Sequence, residues 1–508
     1  MVMFIRLLLT LLLVCVISQS ALAAAPAILF TVAMSEAVNI TGSPRIVLDV
    51  DGNTRYALYS SGSGTAALTF TYTATVGDVD VNGIGIASTS LDLNGGNVTD
   101  LNGNTISNLT FTPPANMGSV NVNYPSLSLD FTYDADGRYT LNGTVYNDLT
   151  SFIAGAGATF NRASTATYFN SSGIMQTAAS SSPRFTYDPT TLTFRGLLIE
   201  EGRTNLVTYS VGNGAPWEIG NVTTTANAGT APDNTNTATL LTTTGVTHYH
   251  REVITVLPST LYTFSFWAKR GTMTDLKYSV YNWTAGSDIV ASTSYYSQTN
   301  ASTWSRVSVT FTTPAGCTSI GVYPLRDALV TGTTYVWGAQ LEQGGSATSY
   351  IPTTTASVTR AADDFTIPVG AWHNTPAGTL FAQGRTSARS VGVTNAEAIF
   401  SGSSYSELVR GASTIALGGF LGAGAFTSTG VTTANFDFKM TGNYQGGTNY
   451  ISLNGAAPLS VAGSNYGPPT LFGIGRRMSA AWYWNSTIEK IKYYPVSVSN
   501  AQLQLLSQ

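Results

Sequence analysis

Residues 159–210 read TFNRASTATYFNSSGIMQTAASSSPRFTYDPTTLTFRGLLIEEGRTNLVTYS and separate a short front part of the chain from a long back part. Two prolines and a run of serines argue against long regular elements within this stretch. Its one apolar run, Gly196 to Ile199, predicts a buried strand. The sequence therefore predicts an irregular connector, bounded at residues 126–210, between domains of more regular structure.

The composition predicts several all-β domains. A length of 508 residues is enough for about three or four domains. Hydrophobic residues make up 43% of the chain and can build their cores, abundant threonine and aromatic residues favour strands, and 50 glycines favour tight turns. Only 10% of residues are charged, the net charge is -4 and no basic patch stands out, so nucleic acid is not expected as a partner.

Several motifs of the connector are similar to known proteins. They are Arg162-Ala-Ser-Thr-Ala-Thr-Tyr168, Pro183-Arg-Phe185, Tyr187-Asp-Pro189 and Gly196-Leu-Leu-Ile-Glu-Glu-Gly-Arg-Thr-Asn205. Together they resemble a segment of many phage tail, head-spike and fibre proteins, where it leads into a carbohydrate-binding-type jelly roll. The resemblance implies an architecture and names no reaction.

Residues 1–23 have the pattern of a secretory signal peptide. Arg6 supplies the positive start, an apolar run too short for a membrane span follows, and Ala21-Leu-Ala23 gives the small-x-small cleavage site. No later stretch is long and apolar enough for membrane insertion. The pattern predicts a protein that is secreted or held at a cell surface, or a virion part if the chain derives from a phage.

Residues 26–125 predict the first β-sandwich. Alternating strands are separated by glycine-containing turns such as Asp51-Gly-Asn53. The motifs Met34-Ser-Glu36, Gly62-Ser-Gly-Thr65 and Leu93-Asn-Gly-Gly96 resemble bacterial immunoglobulin-like repeats of large surface adhesins, which implies an Ig-like fold for this unit.

Asp78, Asp80 and Asn82, followed by Gly83, have the spacing with which a calcium-binding loop starts. The twelfth position is Thr89 rather than glutamate, which excludes a complete helix-loop-helix site. A partial Ca2+ site is one interpretation, and a solvated turn that uses the Asp and Asn oxygens for local hydrogen bonds is the other.

Residues 211–365 contain strand patterns at Tyr262–Lys269, Trp304–Phe311 and Tyr335–Glu342. Their order resembles the carbohydrate-binding jelly rolls of glycoside hydrolases and phage fibres, and this implies a sheet on whose face aromatic rings stack against sugars. The candidate glycan-binding residues of this domain are Tyr249, Trp267, Tyr281, Trp283 and Tyr323. The alternative for each is a place in the sandwich core, and the sequence favours that alternative for Trp267.

Residues 366–508 end with an isoleucine pair, two tyrosines and a short helical pattern after Asn500. This order resembles the concanavalin A-like (laminin-G-like) lectin sandwich. The aromatic residues Tyr444, Tyr466 and Trp482 are predicted to lie in loops, either as ligand contacts or as ordinary exposed rings.

Acidic residues offer two places for catalysis. Glu200 and Glu201 are adjacent on a strand and point to opposite faces, so an ion-paired joint that includes Arg203 is favoured over an active site. In the last domain the acids show no obvious pairing; they are Glu397, Glu407, Asp437 and Glu489.

Three functions are consistent with these patterns. The first is a secreted, non-catalytic, modular protein that binds a polysaccharide or cell-surface glycan in adhesion or recognition. The second is a structural component of a phage or prophage tail fibre or spike. The third is a polysaccharide hydrolase or lyase on the concanavalin-like domain. The sequence leaves open whether the chain forms a homo-oligomer, since it carries no coiled-coil heptad.

Overall fold

A computed structural model describes residues 25–114, 117–132, 138–387, 397–402, 406–410, 416–421, 426–431, 434–463, 468–478 and 482–508. The predicted signal peptide and Tyr466 lie outside these ranges. Within them the chain forms antiparallel sheets and two short α-helices, which confirms the all-β fold class. None of the helices in these ranges has the length and apolar character needed to cross a membrane.

The first unit is built around a six-stranded antiparallel sheet. Apolar side chains point to one side at every second position, which buries Phe30, Ile46, Leu48 and Phe70 completely. The sheet order is β6-β2-β3-β4-β1-β7, and β5 pairs separately with β8. These strands are β1 (Ala27–Thr41), β2 (Arg45–Val50), β3 (Asn53–Ser61), β4 (Thr65–Thr73), β5 (Val79–Asp80), β6 (Gly85–Ile86), β7 (Asn97–Asp100) and β8 (Val122–Asn123).

The next part of the chain consists of short strands and one helix. Helix α1 (Leu149–Gly155) begins where it does because the Asp148 carboxylate accepts a hydrogen bond from the Ser151 N–H. The strands are β9 (Leu127–Asp130), β10 (Tyr139–Leu141), β11 (Thr144–Tyr146), β12 (Thr159–Asn161), β13 (Ala166–Phe169), β14 (Met175–Ala178), β15 (Phe185–Tyr187), β16 (Phe194–Ile199) and β17 (Arg203–Asn205).

Residues 206–357, which we call the inserted sandwich, form two five-stranded antiparallel sheets. One has the order β18-β21-β26-β23-β24 and the other β19-β20-β27-β22-β25. Phe264, Phe266, Val280 and Val322 fill the space between them. The strands are β18 (Glu218–Gly220), β19 (Val222–Gly229), β20 (Ala238–Thr243), β21 (Tyr249–Thr255), β22 (Leu261–Arg270), β23 (Lys277–Asn282), β24 (Ser287–Ser294), β25 (Ser305–Thr312), β26 (Ser319–Arg326) and β27 (Thr333–Gln343), with a 3-10 turn at Tyr296–Gln298.

The last part of the chain ends in helix α2 (Asn500–Leu506), whose N-terminus is capped by the Ser499 hydroxyl. Its strands are β28 (Val358–Arg360), β29 (Asp364–Pro368), β30 (Gly378–Arg385), β31 (Glu397–Gly402), β32 (Ser406–Arg410), β33 (Leu417–Leu421), β34 (Phe426–Ser428), β35 (Asp437–Tyr444), β36 (Gly447–Leu453), β37 (Leu459–Gly463), β38 (Leu471–Ile474) and β39 (Ser486–Tyr494).

Strands from both sides of the inserted sandwich pair with each other. In a ten-stranded sheet β9 and β16 both pair with β39, and in a seven-stranded sheet β12 pairs with β29. Leu129 and Ile199 accordingly share one core with Phe365 and Ile488. We call this body, residues 126–205 together with 358–508, the composite sandwich. The segment interpreted from its sequence as a connector thus supplies strands to both sheets.

Gly196 shows why the connector needs a glycine where it meets the last strand. Its φ is +91°, and a Cβ there would lie 2.2 Å from the carbonyl oxygen of Ile488 on β39. Only a residue without a side chain lets β16 approach β39 this closely. The glycine of this motif therefore serves the packing of the composite sandwich.

The chain enters and leaves the inserted sandwich through one antiparallel pair, in which Arg203 on β17 lies opposite Arg360 on β28. Beside this pair is a buried ionic cluster, which we call the joint. Its members are three arginines and two carboxylates that are almost fully enclosed: Arg162, Arg184, Arg360, Glu200 and Asp363.

Asp363 is the centre of the joint. Its two oxygens lie 2.8 Å from Arg162 Nη1 and 2.5 Å from Arg184 Nη2. Glu200 lies 2.9 Å from Arg184 Nη2 and 3.5 Å from Arg360 Nη2 and accepts further hydrogen bonds from Ser349 of the inserted sandwich. Glu200 is thus ion-paired, as predicted, but with Arg184 and Arg360, whereas Arg203 pairs with Glu201.

We expect Glu200→Gln to lower the free energy of unfolding by about 3 kcal/mol, because it breaks a buried ion pair and leaves arginine charge uncompensated. Burial opposes ionisation of Glu200, but Arg360 and Arg184 outweigh it and lower its pKa from 4.5 to about 2. This stabilisation is therefore complete above pH 4.5 and is lost as the pH falls towards 2. Urea unfolding followed by circular dichroism at several pH values measures both effects.

The matched control for this experiment is Asp437→Asn, which breaks a pair with Arg385 in which the aspartate side chain is 58% exposed. A change of only about 0.5 kcal/mol is expected there. Equal stability of Glu200→Gln and the natural protein at neutral pH would contradict the role given to the joint.

Candidate functional site

The outward side of the sheet β18-β21-β26-β23-β24 carries a cluster of aromatic and basic side chains. Residues paired across antiparallel strands share a face, and the register places Tyr281 opposite Gly321 and Ser279 opposite Tyr323. Val280 and Val322, one position along, point into the core instead. We call this surface the open face and define it by Tyr249, Arg251, Tyr281, Trp283, Tyr323 and Arg326.

The two arginines are interleaved with the rings. The Arg251 guanidinium carbon lies 4.5 Å from the ring centroid of Tyr249 and 4.4 Å from that of Trp283. Arg326 is 5.2 Å from the ring of Tyr281. These are cation–π distances, and they hold the rings in fixed orientations across three strands.

The positive charges of the open face are balanced locally. Arg251 Nη2 lies 2.6 Å from Glu218 and its Nη1 donates to the Tyr323 hydroxyl, while Arg326 Nη1 lies 2.6 Å from Asp288. Burial alone would lower the pKa of Arg251, but the Glu218 and Tyr323 contacts raise it. The surface therefore combines ring faces with hydrogen-bonding groups and little net charge, which suits a neutral ligand rich in hydroxyl groups.

Gly321 leaves room for the indole of Trp283. A Cβ at this position would lie 2.7 Å from Trp283 Nε1 and 2.8 Å from Tyr323 Cε2. The indole thus crosses the neighbouring strand over bare backbone, with 41% of Trp283 exposed. Tyr323 is only 3% exposed and supports the cluster from below.

The structure brings together four of the five aromatic residues predicted in this domain, all except Trp267. Trp267 is 4% exposed on the opposite sheet, 5.6 Å from the rings of both Trp337 and Tyr350. Trp267 is therefore buried, but in a separate aromatic cluster on the outward side of its sheet and not in the sandwich core that the sequence favours. Whether the other four contact a sugar stays a prediction.

The aromatic candidates of the last domain lie apart from the open face. Tyr444 is at the end of β35 rather than in a loop, is 2% exposed, and its hydroxyl is 2.6 Å from that of Tyr493. Its predicted loop position is corrected, because the ring fills the space between the sheets and presents no face to a ligand. Trp482 is half-buried beneath Arg477, whose guanidinium carbon lies 4.0 Å from its ring centroid.

Arg251, Arg326 and Glu218 were not predicted as members of the site. Arg251 follows Tyr249 by two residues on one strand, a spacing that places both side chains on one face. That signal was available in the sequence. Arg326 and Glu218 reach the site only through strand pairing, which no local pattern reveals.

His250 belongs to the core and not to the open face. Its ring stacks on Trp217 with 4.4 Å between centroids, and Nε2 donates to the Gly212 carbonyl oxygen. Burial lowers the pKa of His250 to about 3, so the ring is neutral near pH 7.

The oxygens of the predicted calcium loop accept hydrogen bonds from protein donors. Asp78 accepts from the Tyr72 hydroxyl and pairs with Arg55 at 2.7 Å. Asp80 accepts from the Gly83 N–H, and Gln502 donates to both Asp80 and Asn82. A cation would have to displace these donors, so the residues do not fit a calcium ion as they are arranged. Among the described residues no group of three or more His, Cys, Asp or Glu side chains could hold a metal ion.

Two of the four acids of the last domain line one pocket. Asp437 and Glu489 border a cavity of about 240 Å³ together with Gln383 and Lys439. Burial raises the pKa of Glu489, and Gln383 donates to it at 2.6 Å.

The other two acids of the last domain, Glu397 and Glu407, do not line this pocket and have other partners. Glu397 accepts hydrogen bonds from the Ser387 hydroxyl. Glu407 pairs with Arg477 at 2.8 Å.

No protein-family model matches this sequence, and no curated protein matches it. Among solved structures the chain is distantly similar to the enzymatically active domain of tailspike protein 4 of Bacteriophage CBA120, with a TM-score of 0.23 and 17% identity over 27% of this chain. The matched part spans 21% of that tailspike domain.

Two further solved structures come from Xyn10C of Paenibacillus barcinonensis. The CBM22-1 xylan-binding domain has a TM-score of 0.22 and 15% identity, and the match covers 27% of this chain and 94% of that one. The tandem CBM22-1-CBM22-2 domain has a TM-score of 0.22 and 10% identity over 57% of this chain and 97% of that one. The chain thus has a distant structural similarity to a phage tailspike domain and to carbohydrate-binding domains.

Proposed function

We propose that this chain is a non-catalytic, modular glycan-binding protein whose open face recognises a polysaccharide or cell-surface glycan. The observation that carries the proposal is the arrangement of Trp283, Tyr281 and Tyr249 on one face, with both arginines neutralised by neighbouring carboxylates. A pyranose packs its C–H groups on an aromatic face, while its hydroxyls bind polar groups at the rim.

The proposal includes export from the cell, for which the signal-peptide pattern of residues 1–23 is the support. A glycan-binding surface is useful outside the cell, where polysaccharides are exposed. N-terminal sequencing of protein recovered from the medium or from the cell surface tests this part; a chain that retains Met1 in the cytoplasm would contradict it.

We expect Trp283→Ala to weaken glycan binding by about 2 kcal/mol, roughly thirtyfold, because it removes the most exposed ring of the open face. A glycan array identifies the ligand of the full chain, and calorimetry with that glycan measures the loss. Tyr56→Ala is the matched control, since Tyr56 is also an exposed ring beneath an arginine, Arg45, but lies in the first unit. Equal affinities of both variants would refute the assignment.

We expect Gly321→Ala to reduce the same binding by about tenfold without unfolding the protein. The added Cβ collides with side-chain atoms of Trp283 and Tyr323, which can move, so the rings shift while the sheet stays intact. Thermal unfolding within a few degrees of the natural protein, combined with weaker binding, is the expected result. Unchanged affinity would mean that the position of the Trp283 ring does not matter.

The pocket of Asp437 and Glu489 is the specific reason to test a second function, a polysaccharide hydrolase. Paired carboxyl groups, one with a raised pKa, are what glycoside hydrolysis requires. We expect no release of reducing sugar from a broad panel of polysaccharides, and no difference between the natural protein and Glu489→Gln. Release that disappears in Glu489→Gln would establish the enzyme instead. If the protein binds no glycan on the array and releases no sugar from the panel, the results would favour a structural fibre component.

A further inference from the structure

A groove runs along the other side of the inserted sandwich, where its second sheet meets the hairpin β13–β14 of the composite sandwich. The cavity measures about 670 Å³, and Phe169, Trp304 and Arg306 line it. A second cavity of about 340 Å³ continues it and shares Phe169, Trp267 and Arg306. This volume is in the range of small-ligand sites. We call the combined space the groove.

The groove presents aromatic and polar groups side by side. Trp304 is half-buried, and its Nε1 donates to the Thr230 carbonyl oxygen at 2.9 Å, which fixes the plane of the indole. Asn234, Asn300 and Thr303 supply amide and hydroxyl groups at the same wall. A ring face beside amide and hydroxyl groups is the chemistry that a sugar ring requires.

Arg306 is the charged group at the centre of the groove. Its guanidinium carbon lies 4.5 Å from the Trp267 ring centroid, Nη1 donates to the Thr348 carbonyl oxygen and Nη2 to the Ser265 hydroxyl. No carboxylate of the described residues lies within salt-bridge distance of it, and its buried Nε has no hydrogen-bond partner among them. Glu342 and Glu200 act on Arg306 only from beyond salt-bridge distance. A largely desolvated guanidinium without a directly paired carboxylate favours an anionic ligand.

The other cations of the groove differ from Arg306. Arg195 pairs with Asp188 at 3.0 Å, and Arg385 pairs with Asp437 at 2.6 Å. Glu200, which also lines the groove, is paired within the joint. Lys269 adds a positive charge 5.3 Å from the Trp304 ring centroid. Arg306 and Lys269, the two cations near Trp304, thus form no salt bridge with a described carboxylate.

We infer that the groove is a second glycan-binding site, separate from the open face, and that it takes an acidic oligosaccharide. A uronate carboxylate pairs with Arg306, and the neighbouring sugar ring packs on Trp304. The open face, whose arginines are already paired, selects for neutral groups. The groove is independent of the proposed function, because it shares no residue with the open face.

Binding of short oligouronides to the full chain, measured by calorimetry, tests this inference. The panel contains galacturonate, glucuronate, mannuronate and guluronate oligomers, their carboxyl-reduced neutral counterparts, and sulfated neutral oligomers. We expect binding of at least one oligouronide, at least about tenfold weaker binding of its reduced counterpart, and weakening by salt. Sulfated oligomers that bind as well as the uronide would assign the site to anionic sugars in general and overturn the uronate assignment.

Variants locate the binding. Arg306→Gln and Trp304→Ala are each expected to weaken the oligouronide at least about tenfold, whereas Trp283→Ala leaves it unchanged. Arg306→Lys keeps the charge but loses the planar donor pair, so an intermediate affinity is expected. Trp304 lies at the rim, so Trp304→Ala keeps the test decisive if Arg306→Gln does not fold.

The proposals for the groove and for the open face can be refuted independently of each other. Neutral glycans bound through Trp283 without any oligouronide binding would overturn the groove and keep the open face. Oligouronides bound through Arg306 and Trp304, with no neutral glycan bound through Trp283, would keep the groove and overturn the open face. Oligouronide binding that is lost in Trp283→Ala but not in Trp304→Ala would also overturn the groove.

Discussion

The carboxylate of Asp363, held between Arg162 and Arg184, is the interaction on which the arrangement of the two sandwiches depends. A carboxylate without exposed surface is costly to bury, and only hydrogen-bonded cations offset that cost. Its partners lie about two hundred residues away in sequence, so the ion pairs form only when both ends of the composite sandwich have come together. The cluster specifies where the inserted sandwich is attached more than it adds net stability.

This attachment determines what each side of the inserted sandwich can do. The joint includes Glu200, which accepts from Ser349 of the inserted sandwich, so the two bodies are tied by hydrogen bonds as well as by the strand pair of Arg203 and Arg360. One sheet consequently presents the open face on its outward side. The other sheet is partly covered by the hairpin β13–β14, and a groove remains where the cover is incomplete.

The sequence was sufficient for the fold class and for part of the site, and the reason is distance along the chain. The two-residue spacing of Tyr281 and Trp283 predicts that they share a face, whereas their position beside Tyr249 depends on the pairing of β21 and β23 with β26. The pairing of β16 with β39 joins residues almost three hundred positions apart and leaves no local pattern, so the composite sandwich could not be predicted. Tyr444 was misplaced for a related reason, because the extent of β35 depends on its pairing with β30.

Arginine beside an aromatic ring occurs on both sides of the inserted sandwich, and the nearest carboxylate decides what each arginine can bind. Arg251 stacks on Trp283 and forms a salt bridge with Glu218. Because Glu218 neutralises its charge, Arg251 serves to orient the rings. Arg306 stacks on Trp267 at nearly the same distance and reaches only a carbonyl and a hydroxyl oxygen. Neutral oxygens compensate a guanidinium less well than a carboxylate does. The same pair of residue types therefore favours a neutral ligand on one side and an anionic ligand on the other.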